Sequence, residues 1–277
     1  MPAKKIPAWK RLVDEGWVQT RADAERYVLS GRVYAGDAPV RNAGAPLAPD
    51  IPLAVRRLDA RYIAKGGYKL HAALDAFGLD VTGRVALDAG ASTGGFTHCL
   101  VLRGCARVYA VDVGFGQLHG SLRAHPAVVN LERTNISDDR LLALNPAPDL
   151  GTVDLSYLSL RLAVPAFARV LRGQGELVCL VKPLFEIDDP QARRTGAIAP
   201  HAYTPLLTAL CADLAAHGRV LGVTHSPVTG NSGTLEFFVR LALGSAAASA
   251  NIPGSAALGA QIVAAVQAAL ALDKYKK

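Results

Sequence analysis

The sequence predicts an α/β fold, a mostly parallel seven-stranded sheet covered by helices on both faces, preceded by a small α+β domain. From Arg84 onward, short apolar runs alternate with segments of helical spacing, as in parallel strands joined by crossover helices. Residues 226–234, between the last two runs, contain no helical segment, so this final pair is expected to be antiparallel. The first 65 residues carry 12 Lys and Arg against 7 Asp and Glu, and we expect them to form a separate unit.

The apolar runs and the turn residues between them predict the element and domain boundaries. The predicted strands of the sheet are 85–87, 107–113, 128–131, 150–155, 177–181, 220–223 and 235–241. Helices are expected over 68–77, directly after Gly66 and Gly67, and over 96–103. The predicted domains are a basic domain at 1–60, a linker at 61–66, the sheet domain at 67–243 and an Ala-rich tail at 244–277.

Composition limits the class of protein. The chain has 277 residues, 51% of them hydrophobic, and a formal net charge of +7. This is enough apolar content for a core, and the positive charge favours an anionic partner. Because no apolar run reaches the roughly 18 residues of a membrane-spanning helix, we expect a soluble, cytoplasmic protein with no membrane partner. The cysteines show no metal or disulfide spacing and are expected to be buried, reduced thiols; they are Cys99, Cys105, Cys179 and Cys211.

The basic domain is a candidate RNA-binding unit. Helical spacing predicts two short helices between residues 8 and 30, and a strand and turn follow. Their order, with Ser30-Gly31-Arg32-Val33-Tyr34, resembles the α-L RNA-binding motif, which implies an RNA-docking role. Lysine and arginine suit contacts to a phosphate backbone, with a solvated charged face as the alternative. The candidate RNA contacts are Lys4, Lys5, Lys10, Arg11, Arg21, Arg32 and Arg41, with Arg193 and Arg194 in a possible lid loop at 188–194.

A glycine-rich turn after the first strand of the sheet is a candidate cofactor site. Its spacing does not match the Gly-x-Gly-x-x-Gly fingerprint of dinucleotide binding. The carboxylate of Asp88 disfavours a pyrophosphate and suits the ammonium of a methionine moiety, and Asp112 at the next strand end suits ribose hydroxyls. Buried carboxylates that cap helices are the alternative. The candidate cofactor residues are Asp88, Gly90, Ser92, Thr93, Gly94, Gly95, Phe96, Asp112 and, beside the adenine, Asn135.

Four charged residues are predicted at the catalytic edge of the same sheet: Lys69, Asp154, Lys182 and Glu236. An unpaired charge there would be costly, so we expect these residues to pair with one another. Lys69 is expected in the first turn of its helix, where a cation is unfavourable for the helix dipole, which hints at another role. Seven strands that end in an antiparallel pair, with a glycine turn of this kind, are typical of Rossmann-like class I methyltransferases that use S-adenosylmethionine.

These four residues suit methyl transfer to a ribose hydroxyl, which requires a base, and lysine is a base only when neutral. Lys182 is the candidate base. Burial and a second cation lower a lysine's pKa whereas carboxylates raise it, so the sequence leaves the protonation state of Lys182 open. Other acceptors fit less well. The segment after the fourth strand lacks the Pro-Pro turn of amino-group methyltransferases, and Cys179, inside a strand, is badly placed as the nucleophile of a base-carbon enzyme.

Several stretches together resemble the TlyA family of haemolysin-like, FtsJ-type rRNA 2′-O-methyltransferases. They are Gly66-Gly-Tyr-Lys69-Leu, Asp88-Ala-Gly-Ala-Ser-Thr-Gly-Gly-Phe96-Thr, Val108-Tyr-Ala-Val-Asp112-Val-Gly-Phe-Gly-Gln117-Leu, Glu132-Arg-Thr-Asn135, Asp154-Leu-Ser-Tyr-Leu-Ser159-Leu, Leu180-Val-Lys182-Pro-Leu-Phe-Glu186 and Gly233-Thr-Leu-Glu236-Phe. The resemblance implies transfer of methyl from S-adenosylmethionine to cytidine 2′-hydroxyls of ribosomal RNA within ribosomal subunits, without an evident obligate protein partner. It also implies that Lys69, Asp154, Lys182 and Glu236 are catalytic. Lys65 and His98 stand where arginine and aspartate are usual.

Three other functions are alternatives to this one. A non-catalytic RNA-binding or ribosome-assembly factor would bind RNA without affinity for the cofactor. The haemolysin label suggests membrane lysis, but the sequence has neither a spanning segment nor a strongly amphipathic cationic helix of sufficient length. A nicotinamide-dependent dehydrogenase is disfavoured by Asp88 and the glycine spacing.

Overall fold

A computed structural model describes residues 5–29, 31–55, 61–156, 158–230, 233–244, 246 and 253–272. The chain divides into two compact units, Met1–Tyr62 and Ile63–Lys277. Lys4, a predicted RNA contact, and Ser30, part of the predicted RNA-binding motif, lie outside the described residues.

The first unit is an α+β domain. Its elements are β1 (Ile6–Pro7), α1 (Ala8–Asp14), α2 (Arg21–Leu29), β2 (Val33–Ala35), β3 (Ala38–Pro39), β4 (Pro46–Leu47) and β5 (Leu53–Val55). Strand β2 is the centre of a three-stranded antiparallel sheet with β3 and β5, and β1 pairs with β4. The two helices and this sheet enclose a small core that includes Leu12, Val28 and Val33. The two predicted helices and the strand that follows them are confirmed.

Arg11, a predicted RNA contact, has a structural role in this unit, and its burial makes it poorly placed to contact RNA. The residue is only 5% exposed. Its guanidinium donates to the backbone carbonyls of Ala48 and Ile51 at 2.8 and 2.9 Å and to the carboxylate of Glu15 at 2.7 Å. Arg11 therefore ties α1 to the segment before β5. Composition does not distinguish such a buried cation from a surface cation, because the distinction depends on long-range packing.

The second unit is organised around a seven-stranded sheet. Its strands are β6 (Val85–Ala89), β7 (Arg107–Asp112), β8 (Val128–Glu132), β9 (Leu150–Val153), β10 (Gly175–Val181), β11 (Arg219–His225) and β12 (Phe237–Leu243). Their order across the sheet is β11-β12-β10-β9-β6-β7-β8. Strand β12 is antiparallel to both of its neighbours, and the other pairs are parallel. The Rossmann-like α/β architecture and its antiparallel final pair are confirmed.

The reversed direction of β12 positions part of the site. Parallel strands place their carboxyl ends at one edge of a sheet, where α/β proteins bind ligands. Because β12 runs the opposite way, its first residue lies at that same edge, and Phe237 pairs with Val181, the last residue of β10. The residue after β10 and the residue before β12 are therefore neighbours. They are Lys182 and Glu236.

Helices accompany the strands of this unit, and the Ala-rich tail supplies one of them. They are α3 (Lys65–Ala76), α4 (Gly95–Leu102), α5 (Gly120–Arg123), α6 (Leu160–Val170), α7 (Pro183–Glu186), α8 (Pro190–Thr195), α9 (Tyr203–Leu214) and α10 (Ser255–Leu270). The tail helix α10 packs on β11: Ile262 and Val266 are buried in the main core, and Gln261 accepts the N–H of Val223 at 3.2 Å. Within the described part of the chain, no helix is long and apolar enough to cross a membrane.

Helix α3 begins earlier than predicted, at Lys65. Gly66 and Gly67 are therefore part of the helix and do not create an unusual backbone path before it. Gly66 and Gly95 permit α3 and α4 to approach closely, because a Cβ added at Gly66 would lie 3.2 Å from Cδ1 of Phe96 and one added at Gly95 would lie 3.0 Å from the Cα of Gly66. Lys69 consequently falls in the second turn, so the predicted conflict with the helix dipole does not arise.

Candidate active site

A pocket opens beside the glycine-rich turn, at the carboxyl edge of the sheet. It is lined by residues from the ends of β6 and β7 and from the segments after β8 and β9: Ala89, Gly90, Val111, Asp112, Val113, Thr134, Ile136 and Leu155. Apolar side chains dominate this lining, and it includes neither lysine nor arginine. Such a lining fits the base and ribose of a nucleoside. It does not fit a pyrophosphate, which requires cations or a cluster of N–H donors.

Asp112 is the charged group of this pocket, and two backbone donors hold its carboxylate in place. Its Oδ2 accepts the N–H of Ser92 at 2.8 Å, and its Oδ1 accepts the N–H of Gly114 at 2.7 Å. Ser92 has a left-handed φ of +48°, so the turn bends sharply at this residue. Each carboxylate oxygen has a further lone pair, which leaves Asp112 able to accept from ribose hydroxyls.

Gly90 brings the pocket into contact with the end of β9. Its φ is +83°, and an added Cβ would lie 2.2 Å from the carbonyl oxygen of Asp154. Only glycine permits both the conformation and the contact. The glycine turn is thereby packed directly against the residue whose side chain is a catalytic candidate.

The four charged candidates lie together as two ion pairs. The Nζ of Lys69 is 2.5 Å from Oε2 of Glu236, and the Nζ of Lys182 is 2.6 Å from Oδ1 of Asp154. The side chains of the first pair are 10% and 6% exposed, and those of the second are 17% and 23% exposed. The Lys69–Glu236 pair is thus the inner pair, and the Lys182–Asp154 pair is the one that solvent or a substrate can reach.

The two pairs also act on each other electrostatically. Burial raises the pKa of Glu236, while the positive charge of Lys69 opposes that rise, and the charges of Asp154 and Lys182 also act on the same carboxyl. Lys182 follows Val181 and Glu236 precedes Phe237, and Val181 pairs with Phe237, so the two ion pairs are neighbours at this edge. Their net charge is zero when all four groups are ionised.

The fold and this geometry correspond to a known family. Residues 62–243 match the family model of the FtsJ-like methyltransferases. The chain belongs to this family. Methyl transfer is accordingly its reaction class, as predicted.

Individual relatives agree with the family match. The 16S/23S rRNA (cytidine-2′-O)-methyltransferase TlyA of Mycobacterium tuberculosis is 38% identical over 244 residues, which cover 86% of this chain and 90% of that protein. YqxC of Bacillus subtilis, a candidate rRNA methyltransferase, is 35% identical over 244 residues, with 87% of each chain covered. The solved structure of a candidate hemolysin from Streptococcus thermophilus superposes with a TM-score of 0.72 at 29% identity and covers 96% of this chain and 97% of that one. The predicted resemblance to the TlyA family is confirmed.

In this FtsJ-like methyltransferase, several predicted cofactor residues lie behind the turn and do not line the pocket. Gly94 is buried, and a Cβ there would lie 2.2 Å from Cδ1 of Leu122. Phe96 is 3% exposed and stacks on Phe238, with ring centroids 6.0 Å apart. Gly95 contacts α3, as described above. These residues shape the turn from behind, whereas Ser92 and Thr93 are exposed on it.

Asp88 is also behind the turn, and it is fully buried. One carboxylate oxygen accepts from Oγ1 of Thr97 at 2.6 Å and the other from Oγ1 of Thr152 at 3.0 Å. Burial raises the pKa of Asp88 to about 7, against the effect of these two hydrogen bonds. The observed contacts of Asp88 therefore link β6 to α4 and β9, which is close to the helix-capping alternative weighed for this carboxylate.

The segment after β8, predicted to lie beside the adenine, contributes to the pocket through other residues than Asn135. Asn135 is exposed, and its Oδ1 accepts from both the N–H and the hydroxyl of Ser137. Its neighbours Thr134 and Ile136 line the pocket instead. Asn135 was predicted because its polar side chain can hydrogen-bond to a base. The segment forms a turn at residues 136 and 137, so the alternation of a strand does not predict which of its residues line the pocket.

Ser156 was not predicted from the sequence, although it contacts the candidate base. The Nζ of Lys182 donates to its Oγ at 2.7 Å. Ser156 is two residues from Asp154, so one short segment after β9 supplies both acceptors of this lysine. Glu186, the last residue of α7, contacts the start of α6. Its carboxylate accepts from the hydroxyl of Ser159 at 2.7 Å and from the N–H of Leu160 at 2.7 Å.

His98 stands where an aspartate was expected. Like a carboxylate, its ring can accept a hydrogen bond from a backbone N–H. Its Nδ1 accepts the N–H of Ile63 at 3.1 Å. Burial lowers the pKa of His98, and the charges of His119 and His125 lower it further. The neutral ring that can accept this hydrogen bond is thereby favoured.

Proposed function

We propose that this chain transfers the methyl group of S-adenosylmethionine to the 2′-hydroxyl of cytidine in ribosomal RNA, with Lys182 as the base. The observation that carries the proposal is the group of two lysine–carboxylate pairs beside a largely apolar pocket that contains the carboxylate of Asp112. The acceptor is supported by the printed activity of the TlyA protein of Mycobacterium tuberculosis, which is 38% identical. Neither the acceptor nor the roles of single residues follow from family membership alone.

S-adenosylmethionine is the methyl donor, and when bound it supplies a methyl group on a positively charged sulfur. The apolar pocket walls, including Val113 and Ile136, would contact the adenine, and Asp112 would accept from the ribose. Gly90, Ser92 and Thr93 would form the side next to the amino-acid end. We assign Asp88, Gly94, Gly95 and Phe96 to holding this turn in shape.

Lys182 is proposed as the group that receives the proton of the 2′-hydroxyl. Its Nζ lies 2.6 Å from Oδ1 of Asp154, and only the neutral amine, which has a free electron pair, can act as a base. Its side chain is 17% exposed, which gives the proton of the ammonium form a route to water. Asp154 and Ser156 would then orient the neutral amine. Nζ would take the proton of the 2′-hydroxyl as its oxygen accepts the methyl group, and the sulfur of the donor would leave as a neutral thioether with the electron pair of the broken methyl–sulfur bond.

Lys69 and Glu236 are proposed to support this step from the inner side. Their pair is buried and hydrogen-bonded, so its charges are held with little freedom to move. Fixed charges of this kind can stabilise changes of charge nearby without reorganising.

The basic residues of the first unit are proposed as RNA contacts, apart from Arg11. Lys5, Lys10, Arg21 and Arg41 are exposed, and Arg32 is half-buried. Lys10 and Arg21 each pair with a carboxylate at 2.9 Å within their own helix; such exposed pairs are weak, so RNA phosphates can compete for these cations. In the second unit, Arg194 is exposed, whereas the guanidinium of Arg193 already donates to the carbonyl of Ile187.

Methyl transfer to ribosomal subunits tests the proposal. Wild type is expected to incorporate labelled methyl groups at cytidine 2′-positions, and Lys182→Ala is expected to incorporate almost none while it retains affinity for S-adenosylmethionine. Equal incorporation by the two proteins would remove the assignment of Lys182 as base.

The same preparation separates the alternative functions. A non-catalytic RNA-binding factor would bind RNA but show no heat of binding with S-adenosylmethionine. A lytic protein would release dye from liposomes at the concentrations used for methylation. We expect cofactor binding and no dye release.

A further inference from the structure

An exposed aromatic side chain lies beside the candidate base. Phe185 is 41% exposed, although a phenylalanine side chain offers a large apolar area whose burial is favourable. It belongs to α7, the four-residue helix that follows β10, and Lys182 is the N-cap residue of that helix. The N–H of Phe185 donates to the carbonyl of Lys182 at 2.9 Å. Residues in the N-cap and N3 positions of a helix are close enough for their groups to contact each other.

The other residues of this helix anchor it to the protein. Pro183 and Glu186 are buried, and Leu184 packs against the main core. Glu186 accepts from Ser159 and Leu160 and also from Nη1 of Arg161 at 2.9 Å. A turn with this many contacts is held in one position, so Phe185 is presented outward on a rigid support next to Lys182.

The charges around Phe185 favour nucleic acid as its partner. Lys182 is on the same turn, and α8, which contacts α7, carries the exposed Arg194. Single-stranded nucleic acids are bound by aromatic side chains on which bases stack, combined with cations that contact the backbone. The base is attached to the ribose carbon next to the one that bears the 2′-hydroxyl, so a hydroxyl that reaches Lys182 brings its own base close to α7.

From this geometry we propose that Phe185 is a positioning residue, on which the base of the target nucleotide stacks while its 2′-hydroxyl is presented to Lys182. The inference rests on the proposed function, because it requires an RNA ribose as the methyl acceptor. The ring would act on orientation, which matters for rate because a reacting group must be held close to its base. Overall RNA affinity would depend mainly on cations elsewhere.

Single-turnover methylation of ribosomal subunits at saturating enzyme tests this role. We expect Phe185→Ala to slow methyl transfer about 5- to 150-fold, as for the loss of one base–aromatic stack. Phe185→Tyr and Phe185→Trp should stay within about threefold of wild type, because both keep a ring that can stack. Phe185→Leu, which keeps an apolar side chain without a ring, should be nearly as slow as Phe185→Ala.

Two further measurements exclude a general structural effect. The affinity for S-adenosylmethionine and the midpoint of thermal unfolding should be unchanged in Phe185→Ala. Leu102→Ala is the matched control, because Leu102 is 54% exposed and ends α4 at the opposite end from the glycine turn; it should methylate at the wild-type rate.

The outcomes distinguish this inference from the proposed function. If wild type methylates no ribosomal RNA, the proposed function fails and the stacking role fails with it. If wild type is active and Phe185→Ala is equally fast, only the stacking role is wrong. If Phe185→Leu is as fast as wild type while Phe185→Ala is slow, the contact is a plain apolar one, such as a protein surface would make, and base stacking is again wrong.

Discussion

Lys69 and Glu236 are 167 residues apart in the chain, yet their side chains meet at 2.5 Å in a site where both are nearly buried. The pair forms because helix α3 and the antiparallel strand β12 both begin at the same edge of the sheet. Gly230 also allows it, since a Cβ added there would lie 2.2 Å from Oε1 of Glu236. This inner pair supports the outer pair of Lys182 and Asp154.

Breaking the inner pair should destabilise the second unit. Lys69→Met leaves a buried carboxylate without its cation, and Glu236→Leu leaves a buried ammonium, so each should cost about 3–5 kcal/mol of unfolding free energy. The double variant Lys69→Met/Glu236→Leu should recover much of that loss but stay inactive in methyl transfer. Urea unfolding followed by far-UV circular dichroism measures the first effect. Additive losses in the double variant would contradict the predicted coupling.

Ser156→Ala should slow catalysis without affecting the cofactor. The variant removes one neutral hydrogen bond to Lys182, which is worth about 1 kcal/mol, so kcat should fall roughly fivefold. Affinity for S-adenosylmethionine, measured by calorimetry, should not change, because Ser156 does not line the pocket. Ser156→Thr keeps the hydroxyl and should restore most of the rate. An equally slow Thr variant would argue against a role for the hydrogen bond.

Gly90→Ala should abolish cofactor binding or prevent folding of the second unit. The φ of +83° costs about 1–2 kcal/mol for any residue with a Cβ, and the new methyl group would overlap the carbonyl of Asp154. Gly116→Ala is the control, because Gly116 has a φ of +73° but open space around its Cβ position. Equal effects in the two variants, measured by calorimetry and thermal unfolding, would show that backbone strain alone is responsible.

Asp88 should make the stability of the second unit depend on pH. Its pKa is raised from 3.8 to about 7 in the folded protein, so the folded state holds a proton that the unfolded state has lost. This proton contributes fully to the unfolding free energy below pH 4. As the pH rises to about 7 the contribution is lost, and the unfolding free energy falls by up to about 1.4 kcal/mol per pH unit. Asp88→Asn lacks this titration. The difference in unfolding free energy between the two proteins should shift in favour of Asp88→Asn between pH 4 and 7, and a constant difference would contradict the assignment.

Substitutions of Arg11 and Arg41 should have different effects on the first unit, because the first should lower its stability and the second should weaken its binding to RNA. Arg11→Ala leaves the carbonyls of Ala48 and Ile51 without their donor and should lower the stability of this unit by about 1–3 kcal/mol. Both tryptophans of the chain, Trp9 and Trp17, are in this unit, so their fluorescence reports its unfolding directly. Arg41→Ala should leave that transition unchanged and weaken binding to ribosomal RNA in a salt-dependent way. The opposite result would return Arg11 to the RNA-binding set.

The sequence by itself determined which residues lie at the edge of the sheet. Asp154 and Lys182 directly follow apolar strand runs, and strand ends are local features, so their place at the sheet edge was predictable. The glycine turn and Asp112 were predictable for the same reason. The antiparallel direction of β12 followed from the absence of a helix before it.

Tertiary structure decided the rest. The pairing of Lys69 with Glu236 depends on the insertion of β12 next to β10, and the pairing of Lys182 with Asp154 depends on the adjacency of β9 and β10. Strand order of this kind is set by long-range packing. Burial likewise separated Arg11 from the surface cations and placed Asp88, Gly94 and Phe96 behind the pocket. Residue type and spacing determine which groups are available, because they act over a few residues. Which group meets which, and which is removed from water, is determined only when distant segments pack together.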